Sequence, residues 1–150
     1  MRVTVGRQFV ADLEAVRAAL SHQIPDGNLA QLLHEGLRRV LRDHTRRRAA
    51  QTERPVSRPR PTAEDSRNLP AAVRRAVWKR DGGCCAFVAV DGRVCRSTHQ
   101  VQFHHIVPFA RGGVATVANI KLACSVHNAH AAVRDFGAEH MAQARQLALL

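Results

Sequence analysis

The first third of the chain carries apolar residues at helical spacing. Residues 9–20 predict a short helix, residues 24–27 predict a turn, and Asn28 is placed to cap a second helix that runs to about Arg48. Because residues three and four positions apart share one side of a helix, the apolar positions of the second helix predict a single buried face. Its members are Leu29, Leu32, Leu33, Leu37, Val40 and Leu41.

The helical pattern stops at residues 51–67, where Pro55, Pro59 and Pro61 lie among Arg, Ser, Thr and Glu. A segment with so little to bury predicts an extended linker and a domain boundary. The expected division of the chain is a helical accessory segment at 1–50, the linker at 51–67, a second domain at 68–140 and a helical tail at 141–150.

The second domain predicts an α+β fold, with helices at both ends and short strands between them. Pro70 suits the first turn of a helix that runs through Arg80, and residues 81–83 end it. Beyond this helix the pattern predicts strand-like segments at 86–90 and 100–104 around an Asp91-Gly92 hairpin turn. Residues 119–122 are expected to lead into a final helix, which starts at residue 125 or 126 and runs into the 130s.

The charge balance indicates a polyanionic partner. The 150 residues include 23 Lys and Arg against 12 Asp and Glu, a formal net charge of +11, and every basic residue except Lys79 and Lys121 is arginine. A planar guanidinium matches phosphate oxygens two at a time, so nucleic acid is the first partner to expect, ahead of a basic protein without such a partner. The lack of Tyr and the low aromatic content argue against a single-strand binder built on stacked bases.

The four cysteines are interpreted through the expected compartment. No stretch approaches the roughly 20 apolar residues of a membrane span, and residues 1–10 lack the apolar run of a signal peptide. We therefore expect no membrane association and a cytoplasmic location. Thiols stay reduced there, which favours metal binding over disulfide bonds.

Cys85, Cys95, Cys124 and His127 form the first candidate metal site. Cys124 and His127 are spaced C-x-x-H at a predicted helix start, and the interval from Cys85 to Cys95 spans the predicted hairpin turn, which brings its ends together. Three thiolates and one imidazole are typical of structural Zn²⁺, which stabilises a domain too small to be held by its core alone. Two alternatives stay open: Cys84 as the ligand in place of Cys85, and cysteines that are buried without a metal.

The adjacent residues His104 and His105 form the centre of a second candidate site. Neighbouring residues of a strand point to opposite sides, so one imidazole can bind a metal while the other faces a substrate. Hydrolysis of a phosphodiester needs a base that activates water and a cation that stabilises the developing charge. A neutral imidazole and a divalent ion with open positions meet these two needs.

Four short motifs follow one another in the second domain, namely HH-x-x-P, GG, NI and C-x-x-HN. With the stretches around them, LPAAVRRAVWKRDGGCCAFV, CRSTHQVQFHHIVPFARGG and ATVANIKLACSVHNAHAAVRDFG, they make residues 69–137 resemble the HNH endonuclease family, the ββα-metal nucleases. The resemblance is strongest to bacterial members that end their motif in C-x-x-H-N, and it covers somewhat less than half of the chain. It implies a ββα-metal nuclease module with structural zinc at residues 68–140.

The resemblance implies a role for each matching residue. His104 occupies the position of the first metal ligand, His105 that of the general base, and Asn119 that of the residue that ties the active-site loop together and helps to hold the base. Asn128 stands where the last metal ligand is commonly His. Because an amide oxygen is a weaker ligand than imidazole for transition metals, this departure favours Mg²⁺ or Mn²⁺ as the catalytic ion.

His127 occupies a position where many members of the family have the last zinc cysteine, which implies a Cys₃His shell. The competing assignment makes His127 the catalytic ligand and leaves zinc with three cysteines, among them Cys84. Helical spacing disfavours that assignment, because Cys124 and His127 share one face of the helix.

The resulting hypothesis is a metal-dependent endonuclease that hydrolyses phosphodiester bonds of nucleic acid, with double-stranded DNA as the expected substrate. Arg111 lies beside the active-site loop, and we expect it to contact phosphates together with Lys79 and Arg80. The alternative is a non-catalytic, zinc-stabilised module that binds nucleic acid and has no chemical role for His104 and His105.

Overall fold

The computed structural model describes residues 2, 4–54 and 68–147, except for the side chain of Arg145. Most of the predicted linker therefore lies outside the described residues, which contain five α-helices and one two-stranded antiparallel sheet. The predicted α+β class is confirmed at this level. None of the described helices combines the length and the apolar character needed to cross a membrane. The elements are α1 (Arg7–Ala19), α2 (Leu29–Ala49), α3 (Ala71–Asp81), β1 (Gln102–His105), a 3-10 turn (Phe109–Arg111), β2 (Ile120–Ala123), α4 (Ser125–Phe136) and α5 (Ala138–Leu147).

The chain divides into two compact units, residues 1–47 and residues 48–150. In the first unit Asn28 caps α2 as predicted, because its Oδ1 accepts a hydrogen bond from the N–H of Gln31 at 3.2 Å. The core of this unit consists of Leu20, Ile24 and Leu32. The boundaries predicted at residues 50, 67 and 140 stay predictions.

The predicted buried face of α2 is wrong in extent. Of its six apolar members only Leu32 is buried, and the other five are 44% to 66% exposed. The short segment that carries Leu20 and Ile24 packs against the Leu32 edge of the helix. It covers one edge of a stripe that spans several turns, so most of the stripe stays exposed.

The second unit is organised around the sheet. β1 pairs with β2 so that His104 lies opposite Lys121 and His105 lies opposite Ile120. The predicted strand pair is wrong in one member. Residues 86–90 form one side of a hairpin with a single bridge, and the segment predicted as a helix lead-in is the second strand. A four-residue segment is too short for periodicity to separate a strand from a lead-in.

Helix α3 packs against β2 and so holds the sheet. It starts after Pro70 and ends at Asp81, and Gly82 follows in the left-handed conformation at φ 64°, as the predicted end at residues 81–83 requires. Trp78 contributes to the core, with its ring centroid 6.3 Å from that of Phe103. The buried residues of this core are Val77, Val101, Ile120 and Leu122, with Leu69, Val73, Trp78 and Phe103 packed against them.

Candidate metal centre and active site

A hairpin brings the first two cysteines of the candidate metal site together. The N–H of Cys95 donates to the carbonyl of Phe87 at 2.9 Å, and the N–H of Arg96 donates to the carbonyl of Cys85 at 3.1 Å. Gly92 lies in the left-handed conformation at φ 82° and forms the predicted turn. The interval between the two cysteines is therefore folded back on itself, as its spacing predicts.

The start of α4 contributes the other two donors. Cys124 directly precedes the helix and His127 lies in its first turn. The sulfur atoms of Cys85 and Cys124 lie 3.5 Å and 3.3 Å from His127 Nδ1, and the donor atoms of these residues and Cys95 all lie within 4.8 Å of one another. A tetrahedral zinc shell has S···N edges of about 3.6 Å. The four side chains are thus close enough to hold a metal ion and are consistent with structural zinc.

Burial and hydrogen bonding act in opposite directions on the thiols. Burial raises the pKa of Cys85. Burial also acts to raise the pKa of Cys124, but hydrogen bonds from the backbone N–H groups of His127 and Val126 and from the thiols of Cys85 and Cys95 outweigh it, so the pKa of Cys124 falls below its usual value. The thiolate, which is the form that binds a metal, is therefore favoured at the helix N-terminus.

Two neighbours of the cluster bear on its ligand set. Cys84 lies outside the cluster and its thiol donates to the carbonyl of Gly82 at 3.3 Å, whereas Cys85 is fully buried within it. The ring of Phe87 stacks on the ring of His127, with centroids 3.8 Å apart and planes 9° apart, and this contact orients the imidazole. The sequence carries a signal for Phe87, because alternate residues of a strand share one side and Phe87 follows Cys85 by two.

A separate cleft of about 410 Å³ lies between β1, the 3-10 turn and α4. His104 and His105, neighbours at the end of β1, both border this cleft. Its polar lining is completed by Asn128 and Asp135 from α4. The other lining residues are Phe103, Pro108, Phe109, Ala110, Ala132 and Phe136.

His104 and Asn128 meet in the cleft. His104 Nδ1 lies 2.8 Å from Asn128 Oδ1, and Asn128 Nδ2 donates to Gln102 Oε1 at 2.8 Å. The second bond fixes the amide so that its oxygen faces the imidazole. Burial lowers the pKa of His104, although the hydrogen bond with Asn128 acts to raise it. A neutral ring with a free lone pair is the form of histidine that binds a cation.

His105 presents an unpaired nitrogen at the cleft. Among the described residues no group hydrogen-bonds to its Nε2, which is nevertheless buried. The ring meets Phe109 edge to face, with centroids 6.2 Å apart, and burial lowers the pKa of His105. Buried polar atoms in proteins are rarely without a partner. A neutral imidazole with an unpaired nitrogen can accept a proton from a molecule in the cleft.

Asn119 closes the loop that follows β1. Its Oδ1 accepts the N–H of Val107 at 2.8 Å, and its Nδ2 donates to the carbonyls of Val107 at 3.1 Å and Val114 at 2.9 Å. At Gly113 the two arms of this loop approach so closely that a side chain there would overlap the Val107 carbonyl. The amide therefore joins both arms of the loop that borders His105.

An ion pair between the exposed Arg80 and the buried Asp81, which the sequence did not indicate, anchors β2 to α3. Asp81 is buried, and its Oδ2 accepts the N–H of Leu122 at 2.8 Å. Arg80 binds both carboxylate oxygens of Asp81 and also donates to the carbonyls of Val117 and Ile120, at 2.7 Å each. These carbonyls lie on either side of Asn119 in the sequence. The sequence suggested only a helix end at residues 81–83, because partners some 40 residues away leave no local pattern.

The three residues predicted to contact phosphates lie in different surroundings. Arg111 is exposed beside the cleft, where it donates to the backbone carbonyl of Asp135 and its guanidinium lies 5.5 Å from the ring centroid of Phe136. Lys79 is exposed on α3. The guanidinium nitrogens of Arg80 are engaged within the protein. Contact of these residues with nucleic acid stays a prediction.

In comparisons with known proteins, no protein-family model, no curated protein and no solved structure matches this chain. Function is therefore inferred from the residues of the Cys/His cluster and of the cleft.

Proposed function

We propose that the protein is a metal-dependent endonuclease of the HNH type that hydrolyses phosphodiester bonds of nucleic acid, with double-stranded DNA as the expected substrate. The observation that supports this best is the convergence of His104, His105 and Asn128 on one cleft. The two histidines lie in β1 and Asn128 lies in α4, with β2 between them in the chain. This is the order strand, strand, helix that the ββα-metal arrangement requires.

In this proposal His104 and Asn128 hold the divalent cation, Mg²⁺ or Mn²⁺. Their facing atoms are 2.8 Å apart. Both atoms would contact a cation once the proton shared in this hydrogen bond is on Nε2 of His104 instead of Nδ1. Gln102 keeps the amide oxygen of Asn128 turned toward His104. When bound, the cation supplies charge stabilisation at the phosphate and at the leaving oxygen.

His105 is the general base of the proposed reaction. Its Nε2 is buried without a hydrogen-bond partner among the described residues, and its lowered pKa keeps the ring neutral near pH 7. It takes a proton from water as the water oxygen forms a bond to phosphorus and the bond from phosphorus to the leaving oxygen breaks. The contact with Phe109 and the loop closed by Asn119 hold this ring in place.

The Cys/His cluster serves as a structural zinc site in the same proposal. Its ligands join the hairpin to the start of α4, and Asn128 follows the ligand His127 directly. A zinc ion there would therefore fix the wall of the cleft that carries Asn128. A shell of three thiolates and one imidazole leaves no position for a substrate, which suits a structural rather than a catalytic ion.

The net charge of residues 68–150 fits a nucleic-acid substrate. Residues 68–150 contain ten basic and four acidic residues. A surplus of this sign attracts the phosphate backbone at long range. Arg111 beside the cleft and Lys79 on α3 are the proposed contacts with the phosphate backbone of the nucleic acid. The proposed location is the cytoplasm, because cysteines stay reduced in that compartment.

The test is cleavage of supercoiled plasmid by the full chain, loaded with zinc and then dialysed into buffer free of other metals. Mg²⁺ or Mn²⁺ is added to parallel reactions, and zinc content is measured in each. His105→Ala is compared with the wild type and with His99→Ala, a matched change at an exposed residue outside the cleft. We expect metal-dependent nicking that His105→Ala reduces by about 10²- to 10⁴-fold and His99→Ala leaves unchanged.

The outcomes separate the two functional hypotheses. Cleavage by His105→Ala at the wild-type rate would exclude the proposed base. A wild type that keeps its zinc and binds DNA in a salt-sensitive manner, but cuts under no metal condition, would instead support the non-catalytic nucleic-acid-binding module.

A further inference from the structure

The cation site of the proposed nuclease lacks an anionic ligand in the set described so far. His104 offers a neutral imidazole and Asn128 a neutral amide, while hard divalent cations such as Mg²⁺ and Mn²⁺ favour carboxylate oxygens. Cationic groups also lie close by, since Lys121 pairs with His104 across the sheet. A cation held by neutral groups alone would bind weakly in such surroundings.

Asp135 has the only carboxyl group among the described residues that line the cleft. It follows Asn128 by seven residues, so both lie on the same face of α4, about 10 Å apart along the helix axis. Its side chain is only 11% exposed, and Arg134 Nε donates to Oδ1 at 3.0 Å. The other oxygen, Oδ2, is buried and has no hydrogen-bond partner among the described residues.

A buried carboxylate oxygen without a partner lowers the stability of the fold, because that oxygen has lost its hydrogen bonds to water and has formed none within the protein. Arg134 satisfies one oxygen only. A cation in the cleft would complete the partners of Oδ2.

We propose that Asp135 supplies the negative charge for the divalent cation of this cleft, acting through water bound to the cation. The proposal rests on the proposed function, since it assumes the cation at His104 and Asn128. The distance of two helical turns from Asn128 favours contact through water, and Mg²⁺ normally keeps several of its waters in protein sites. Arg134 pairs with Oδ1 and leaves Oδ2 for the hydrated ion.

The test is Mn²⁺ binding without nucleic acid, measured on the zinc-loaded full chain by the electron paramagnetic resonance signal of free Mn²⁺. Asp135→Asn keeps the size of the side chain and removes its charge, so we expect a dissociation constant at least about tenfold higher than that of the wild type. Asp91→Asn is the matched control, because Asp91 lies in the hairpin turn and pairs with Arg93. It should leave Mn²⁺ binding unchanged.

A second pair of variants guards against a folding defect. Arg134→Gln removes the ion pair but keeps the carboxylate, and it should bind Mn²⁺ at least as tightly as the wild type. Asp135→Glu keeps the charge and should stay within about threefold. Weaker binding by Arg134→Gln, or wild-type affinity in a folded Asp135→Asn protein that retains zinc, would overturn the role of Asp135.

The same titration separates this role from the proposed function. If His104→Ala abolishes Mn²⁺ binding and Asp135→Asn does not change it, the cation site stands and the role of Asp135 fails. If Asp135→Asn weakens binding while plasmid cleavage survives in His105→Ala, the role of Asp135 stands and the proposed base fails.

Discussion

The Cys/His cluster and the cleft both include residues of α4, but they differ in whether their polar side-chain atoms have partners within the protein. In the cluster, the donor atoms of Cys85, Cys95, Cys124 and His127 all face one another. In the cleft, His105 Nε2 and Asp135 Oδ2 are buried with no hydrogen-bond partner in the part of the chain that the structure describes. Groups that satisfy one another stabilise a fold, whereas unsatisfied groups cost stability and are available to a ligand. The two regions should therefore respond differently to the same kind of mutation.

The largest effect on stability is expected when the cluster loses a ligand. Cys124→Ala should abolish zinc binding and lower the free energy of unfolding of the second unit by on the order of 5 kcal/mol or more, which is comparable to the whole stability of a small domain. Thermal unfolding and zinc content by mass spectrometry measure both. The control is Cys84→Ala, which removes a thiol outside the cluster and should change stability by less than about 0.5 kcal/mol. Equal effects of the two variants would contradict the ligand set.

A smaller loss is expected from the buried carboxylate that joins α3 to β2. Asp81→Ala removes the partner of Arg80 and the acceptor for the N–H of Leu122, so unfolding free energy should fall by about 3 kcal/mol. Urea unfolding gives this value. Asp91→Ala removes an exposed carboxylate and should cost less than about 1 kcal/mol. An Asp81 variant as stable as the Asp91 variant would mean that the cluster alone holds the sheet.

A mutation of Asn119 is expected to affect both the stability of the fold and the cleavage activity. Asn119→Ala loses three hydrogen bonds that close the loop, which should cost about 2 kcal/mol and also lower Mn²⁺-dependent cleavage by displacing the ring of His105. Asn119→Asp keeps the acceptor and loses the donors, so it should fall between the wild type and Asn119→Ala in urea unfolding. Full stability in both variants would show that the loop does not depend on this side chain.

The smallest effect on stability is expected inside the cleft. His105→Ala removes a buried nitrogen that no described residue hydrogen-bonds, so the unfolding free energy should stay the same or rise by about 1 kcal/mol, even though cleavage is lost. Thermal unfolding beside His99→Ala provides the comparison. A loss above about 2 kcal/mol would assign His105 to the core and weaken the contrast between cluster and cleft.

Much of the cluster could be predicted from the sequence because its geometry is local. The hairpin between Cys85 and Cys95 follows from a Gly at a turn position, and the approach of Cys124 to His127 follows from one turn of helix. The convergence of His104 on Asn128 was expected only through the resemblance to the HNH family, since 24 residues separate them. No local pattern brings a strand end next to a helix face.

The errors share a physical cause. The apolar stripe of α2 predicted a buried face, but periodicity cannot say what is available to cover that face. Residues 119–122 were predicted as a lead-in, whereas residues 120–123 form β2 because Ile120 and Leu122 fill the core beneath α3. The contact of Arg80 with phosphate stays a prediction, but for the same reason the sequence did not show that its guanidinium binds Asp81 and two backbone carbonyls.

The sequence by itself determined the donor types, the hairpin, the helix boundaries within a few residues and the basic surplus, because each depends on neighbours along the chain or on composition. Only the tertiary structure decided which strand pairs with β1, that Asp81 caps the N–H of Leu122, and that Asp135 shares a cleft with His104. These contacts join residues some 15 to 40 positions apart. They exist because packing of α3, the sheet and α4 brings those side chains together, and packing depends on all of these elements at once.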